Sequence, residues 1–158
     1  MTDMPRTVAH RFAHAFNSQD VDRLLACFTT DASYRDLFYG PVMGHEQIRR
    51  LFERMYVEGE HHQWTMTTVV ESEGCTIGEW IFTFTVSDAV PASAGRTLRF
   101  GGVSVFETSA GLCRAYREYF DRAAALLALG IRPNAVAGLV ARYPSVEVSG
   151  SASRTLRA

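Results

Sequence analysis

Arg114-Ala115-Tyr116-Arg117-Glu118-Tyr119-Phe120-Asp121 decides the fold, read together with Ala123-Ala124-Ala125-Leu126-Leu127-Ala128-Leu129-Gly130. The first segment reads as a strand. The second reads as a short helix capped by Asp121 and stopped by Gly130. Successive strand side chains point to opposite faces. Tyr116, Glu118 and Phe120 therefore share one face, and Arg117, Tyr119 and Asp121 the other. If the first face lines a pocket, Glu118 is a carboxyl between two aromatic rings. Such a setting raises a carboxyl pKa and prepares it for proton transfer.

Upstream of this stretch the pattern is strand after strand. His62 to Glu71 alternates, with Trp64, Met66, Thr68 and Val70 on one face. Cys75 to Val86 carries Trp80, Phe82 and Phe84 on one face, and Glu73-Gly74 is a tight turn between the two. After a loop from Ser87 to Gly95 comes a strand from Arg96 to Phe106, in which Gly101-Gly102 predicts a bulge or sharp bend. The N-terminal part is helical. Val8, Phe12, Ala15 and Phe16 recur at helical spacing from about Pro5 to Asn17. Asp20 caps a second helix carrying Val21, Leu24, Leu25 and Phe28, and a third runs from His45 to about Val57 with Ile48, Leu51, Phe52 and Met55 inward. Between them lie a short strand from Ala32 to Phe38 and a loop punctuated by Gly40, Pro41 and Gly44. Pro133 to Ala141 suggests one more helical segment.

Helices first and antiparallel strands after make an α+β layout. A strongly bent antiparallel sheet closed by N-terminal helices gives a cone open at one end, suited to a deep pocket for a small apolar molecule. Residues 1–143 are expected to form a single domain, with residues 144–158 a small, polar, mobile tail.

Composition narrows the function classes. The chain has 158 residues, 47% hydrophobic and 21% charged, with a formal net charge of -1. That balance gives no electrostatic reason to expect nucleic acid or an anionic membrane as partner. No apolar run reaches the roughly 18 residues of a spanning helix, and the start lacks a signal-peptide layout. Cys27, Cys75 and Cys113 fit neither a disulfide framework nor a metal set, so a cytoplasmic protein with reduced thiols is expected. His61 and His62 point to opposite faces of a strand and read as solvated loop residues, while His10 and His14 lack a third ligand. No metal and no cofactor is expected, and no phosphate-cradling or dinucleotide loop occurs.

The chain resembles the nuclear transport factor 2-like superfamily, and within it the SnoaL-like branch with polyketide cyclases and limonene epoxide hydrolase; ketosteroid isomerase is more distant. The resemblance spans about Val8 to Pro133. Asn17-Ser18-Gln19-Asp20 through Phe28-Thr29-Thr30-Asp31-Ala32, the aromatic-acid strand ending in Asp121, and Leu126-Leu127-Ala128-Leu129-Gly130 carry it. It implies a cystatin-like α+β roll and, by analogy, a homodimer. It also implies site residues. Tyr34 matches a tyrosine that helps hold the hydrolase's nucleophilic water, and Asp36 falls where the isomerase has its general base. Glu118 matches the last acid of the hydrolase triad, and Asp121 an acid common before the closing helix. Trp80 and Phe82 stand in place of the triad's arginine and first aspartate, which argues against the hydrolase mechanism in its known form. Phe12 stands near the isomerase's oxyanion tyrosine, and Gly102 near its protonated aspartate.

Tyr34 and Asp36 share one strand face, and Glu118 approaches from the last strand. Two carboxyls in one apolar cavity do not ionise equally, so one serves as acid and the other as base. The expected catalytic set is Asp36, Glu118, Tyr34 and Asp121, with Asp121 also readable as a helix cap. Phe12, Met55, Trp64, Met66, Trp80, Phe82, Phe100, Tyr116 and Phe120 are the expected substrate-binding residues, although aromatic stripes also serve as plain core. The function expected is a cofactor-independent cyclase, isomerase or epoxide hydrolase acting on a hydrophobic oxygenated small molecule. A non-catalytic binding domain and a dimeric interaction module are the alternatives.

Overall fold

Six strands form one sheet in a computed structural model, which describes residues 7–147 and 149. The proposed helix start at Pro5 and most of the proposed tail lie outside the described residues. Helix α1 (Val8–Asn17) is capped by Thr7, whose side chain accepts from the His10 N–H, and α2 (Val21–Leu25) by Asp20, which accepts from the Arg23 N–H. Strand β1 (Phe28–Asp36), the short β2 (Gly40–Met43) and helix α3 (Gly44–Glu58) follow. Four long strands complete the sheet: β3 (Gly59–Ser72), β4 (Cys75–Val86), β5 (Thr97–Ser109) and β6 (Leu112–Tyr119). The order across the sheet is β2-β1-β6-β5-β4-β3. Helices α4 (Arg122–Ala128) and α5 (Pro133–Arg142) follow the sheet.

The α+β roll is present, with one feature that the strand pattern did not disclose. Four of the neighbouring strand pairs are antiparallel, but β1 and β6 are parallel and bring Tyr34 beside Tyr116. Among the described residues no helix is long and apolar enough to cross a membrane.

Several local expectations give way. Phe28 opens β1 instead of closing α2, and Gly40–Met43 is a strand instead of a loop. In β3 the register slips between Met66 and Thr68, so the face alternation flips. Val69 then packs against the core, while Val70, expected inward with Trp64 and Met66, is exposed. No bulge falls at Gly101-Gly102, where pairing with Ile81 and Trp80 runs without a shift. Gly102 instead clears space: a Cβ there would lie 2.5 Å from two Trp80 ring atoms and 2.8 Å from the Tyr119 carbonyl oxygen.

The narrow part of the cone is filled. Phe12 is fully buried, with its ring centroid 4.9 Å from Trp64, 5.6 Å from Phe106 and 5.7 Å from Tyr116. Edge and offset contacts of this kind add to the burial of large rings. Because Trp80 is also fixed through its indole N–H, it cannot step aside for an added methyl. Gly102→Ala should therefore cost about 1–3 kcal/mol of stability, measured by urea denaturation. A neutral result would show that the Trp80 ring moves freely.

Candidate active site

Strand register assembles the two acids. Tyr34 of β1 sits opposite Tyr116 of β6, and the rings stack with centroids 4.1 Å apart and planes 9° apart. Two residues further along each parallel strand come Asp36 and Glu118, which therefore reach the same region. Both carboxyls are buried, each only 4% exposed.

The turn after β1 serves both acids. Asp36 Oδ1 accepts the Phe38 and Tyr39 N–H groups, each at 2.7 Å. Glu118 Oε1 accepts the Leu37 N–H at 3.1 Å, and Oε2 accepts the Tyr116 hydroxyl at 2.9 Å. Tyr116 Oη lies 2.7 Å from Ser104 Oγ, which in turn accepts the Trp80 indole N–H at 2.8 Å. An indole N–H can only donate. With Tyr116 donating to Glu118, the Ser104 hydroxyl donates to Tyr116, and the chain runs one way from Trp80 to Glu118.

This arrangement divides the proton affinities. Burial raises Asp36, its two backbone bonds oppose that, and the net value is about 6. Burial and then the Asp36 charge push Glu118 well above the usual carboxyl range, against the pull of the Leu37 and Tyr116 donors. Of the two, Glu118 holds its proton the more tightly and Asp36 gives its up first. Burial, with the neighbouring negative groups, also holds the Tyr34 phenol well above its ordinary value, and its hydroxyl is buried with no partner among the described residues.

The expected site residues do not gather in one place. Tyr34 and Tyr116 stack beside the acid pair of Asp36 and Glu118, and Trp80 is joined to Glu118 through Ser104 and Tyr116. Phe100 and Phe120 form a half-buried wall beside it with Phe38, the Phe120 centroid being 5.0 Å from Phe100 and 5.1 Å from Phe38. Phe12 and Trp64 belong to the packed interior, and Met66 lies against Gly78 near α1. Asp121 stands apart: its exposed side chain caps α4 by accepting the Ala124 N–H at 2.9 Å.

Open space lies at the mouth of the cone. A cavity of about 280 Å³ is walled by Met55, Phe82, Phe84, Val86, Leu126 and Leu129, and reaches Phe38 and Tyr39 on the acid side. Of the nine expected substrate-binding residues, Met55 and Phe82 line it. His62, expected in solvent, also lines it, because a register slip between Glu60 and Gln63 turns the imidazole inward against Phe82 and Phe84. Burial, then the neighbouring His61, lowers its pKa. Tyr39 joins the cavity with its hydroxyl donating to Glu58 Oε2 at 2.6 Å. Among the described residues no three His, Cys, Asp or Glu side chains gather to hold a metal.

Ser104 and Arg122 were missed by sequence reasoning, and each left a signal. Ser104 is a polar residue at an inward position of an aromatic strand. Arg122 puts a cation in the first turn of a helix, where the dipole disfavours it.

A profile of the SnoaL-like domain matches residues 9–117. The chain belongs to the SnoaL-like family. No match was found among curated proteins. Solved structures similar to this SnoaL-like chain include a hypothetical protein with a ketosteroid isomerase-like fold from Catenulispora acidiphila DSM 44928 in complex with trimethylamine. It has a TM-score of 0.70 at 17% identity, covering 80% of this chain and 95% of that one. A proposed polyketide cyclase from Xanthomonas campestris pv. campestris has a TM-score of 0.69 at 16% identity, covering 77% and 93%. An epoxide hydrolase of M. tuberculosis resembling limonene epoxide hydrolase has a TM-score of 0.64 at 18% identity, covering 85% and 93%. Identities this low carry the fold and not the reaction.

The raised carboxyls make stability depend on pH in a defined direction. An acid with a raised folded-state pKa favours the folded state while protonated. For Asp36 that contribution is complete below about 4 and lost as pH rises through about 6. Asp36→Asn should therefore be the more stable protein at pH 8, by on the order of 2–3 kcal/mol, with little gain at pH 4. Urea denaturation at the two pH values measures this. An equal effect at both would mean that Asp36 is not perturbed.

Proposed function

We propose that this SnoaL-like protein is a cofactor-independent acid–base enzyme acting on a hydrophobic, oxygenated small molecule. One observation carries the reading: two buried carboxyls share one turn, and their proton affinities are set apart. Asp36 is the base and takes a proton from carbon or from water. Glu118 is the acid and gives its proton to the substrate oxygen, with Tyr116 held against it by Ser104 and Trp80. Tyr34 supplies a hydroxyl to the same oxygen or to water. These steps suit cyclisation, isomerisation or epoxide opening.

The substrate's apolar body occupies the cavity between Met55, Phe82 and Leu126. Its reactive end meets the acids where the half-buried Phe38 and Phe120 rings give way. The proposed working form is a cytoplasmic homodimer. The exposed cross-strand neighbours Val70 and Ile77 on the sheet's outer face support the pairing.

A second reading, ligand binding without turnover, has one observation in its favour: the open cavity stops at Phe38 and Tyr39, and neither carboxyl lines it. Incubation with cyclic ketones and terpenoid epoxides separates the two. Catalysis predicts product, with a pH profile that rises as Asp36 ionises near 6 and falls where Glu118 loses its proton. Asp36→Asn should then lower kcat by about 100-fold or more while Kd changes only a few-fold. A tightly bound compound recovered unchanged after long incubation would favour the binder, and full activity in the variant would remove Asp36 from the mechanism.

A further inference from the structure

Arg122 is a buried cation, 7% exposed, whose side-chain hydrogen bonds among the described residues all go to main-chain carbonyls. One guanidinium nitrogen, Nη1, donates to the Leu37 oxygen at 2.9 Å. The other, Nη2, donates to Val140 at 2.8 Å and to Tyr143 at 2.9 Å, at the C-terminal end of α5. A helix end leaves carbonyls without intrahelical partners and carries partial negative charge, so a guanidinium is well matched there. The position is unusual only for α4, whose first turn holds the arginine.

The carbonyl taken by Nη1 is not an arbitrary one. Leu37 C=O and Phe38 N–H belong to one peptide unit, and that N–H donates to Asp36 Oδ1 at 2.7 Å. The preceding peptide offers the Leu37 N–H to Glu118 Oε1. Donation to a carbonyl polarises its peptide and strengthens the N–H at the other end. Arg122 thus grips the short piece of backbone on which both acids depend. A second contact docks α5 on the same turn. Gly40, at φ +89°, packs so closely under the Tyr143 ring that a Cβ would run into it.

We propose that Arg122 is the positioning residue of the acid pair, holding the Leu37–Phe38 peptide toward Asp36, and with it the preceding peptide toward Glu118, and tying that turn to the end of α5. The assignment adds a segment outside the matched SnoaL-like region to the frame of the site. Its catalytic consequence rests on the acid–base reading above, but the coupling itself is measurable without substrate.

The test is a carboxyl-carbon NMR titration of the full chain and of Arg122→Gln, Arg122→Lys and Val136→Ala. Asp36 is faced by Glu118 from β6, Tyr34 from β1 and Tyr39 from the turn, and all three remain in every variant. Loss of the guanidinium should raise the Asp36 midpoint by about half a unit to one unit in Arg122→Gln, and by less in Arg122→Lys, which keeps the charge but not the fork. Val136 is buried on α5 and touches neither carboxyl's hydrogen bonds. Val136→Ala should lower thermal stability and leave the titration in place. An unchanged midpoint in a folded Arg122 variant overturns the proposal, as does an equal shift in Val136→Ala. If Arg122→Gln does not fold, Arg122→Lys decides. Wild-type protein without turnover but with the Arg122-dependent midpoint would sink the enzymatic reading and leave the coupling intact.

Discussion

The parallel pairing of β1 with β6 is the constraint on which the site depends. Parallel neighbours cannot be joined by a hairpin and need a long connection. Here the connection is everything from β2 to β5, so the acids meet only when most of the chain is in place. The register of this pair stacks Tyr34 on Tyr116 and brings Asp36 and Glu118 together. A slip of one residue on either strand would turn one acid to the opposite face. The ring stack, buried on all sides, therefore acts as the register pin for the chemistry beyond it.

Two acids in one buried place are tolerable only if their protons are managed. Burial acts against both charges, and the second ionisation is opposed by the first. The turn resolves this asymmetrically. Asp36 receives two backbone donors on one oxygen, which suits an anion, while Glu118 receives one backbone donor and one hydroxyl. Burial raises both; the two backbone donors bring Asp36 back to about 6, and the charge Asp36 places beside its neighbour pushes Glu118 further up against its own two donors.

Much of the frame was legible along the chain because its signals are local. The β4 boundaries followed from β-branched and aromatic composition, and the Asp20 and Asp121 caps from residue preference at helix starts. The face of Glu118 followed from alternation within one strand. What stayed hidden depends on partners far away in sequence or on small breaks in period. The register slips in β3 moved Val70 outward and His62 inward, and nothing in the local pattern marks where a bulge falls. Asp121 was legible as a cap and ambiguous as an acid, because residue type cannot say on which side of a sheet edge a side chain ends. Arg122 acts through carbonyls of Leu37, Val140 and Tyr143, and a backbone carbonyl has no sequence signature.

The aromatic residues that fill the cone also explain why the open cavity lies at its mouth. Trp80 and Phe82 occupy neighbouring inward positions of β4, and Gly102 opposite Trp80 leaves room for the indole alone. The space that a smaller side chain would leave for ligand behind Tyr116 is occupied by a ring. That ring is not inert packing, since its N–H donates to Ser104 Oγ, the hydroxyl that partners Tyr116. Glycine at position 102 thus has two linked results. It lets the indole close the deep end of the hollow, and it lets the same indole supply a donor to Ser104. Ligand volume in this protein is confined to the mouth by the side chain that, through Ser104, supports the Tyr116 hydroxyl against Glu118.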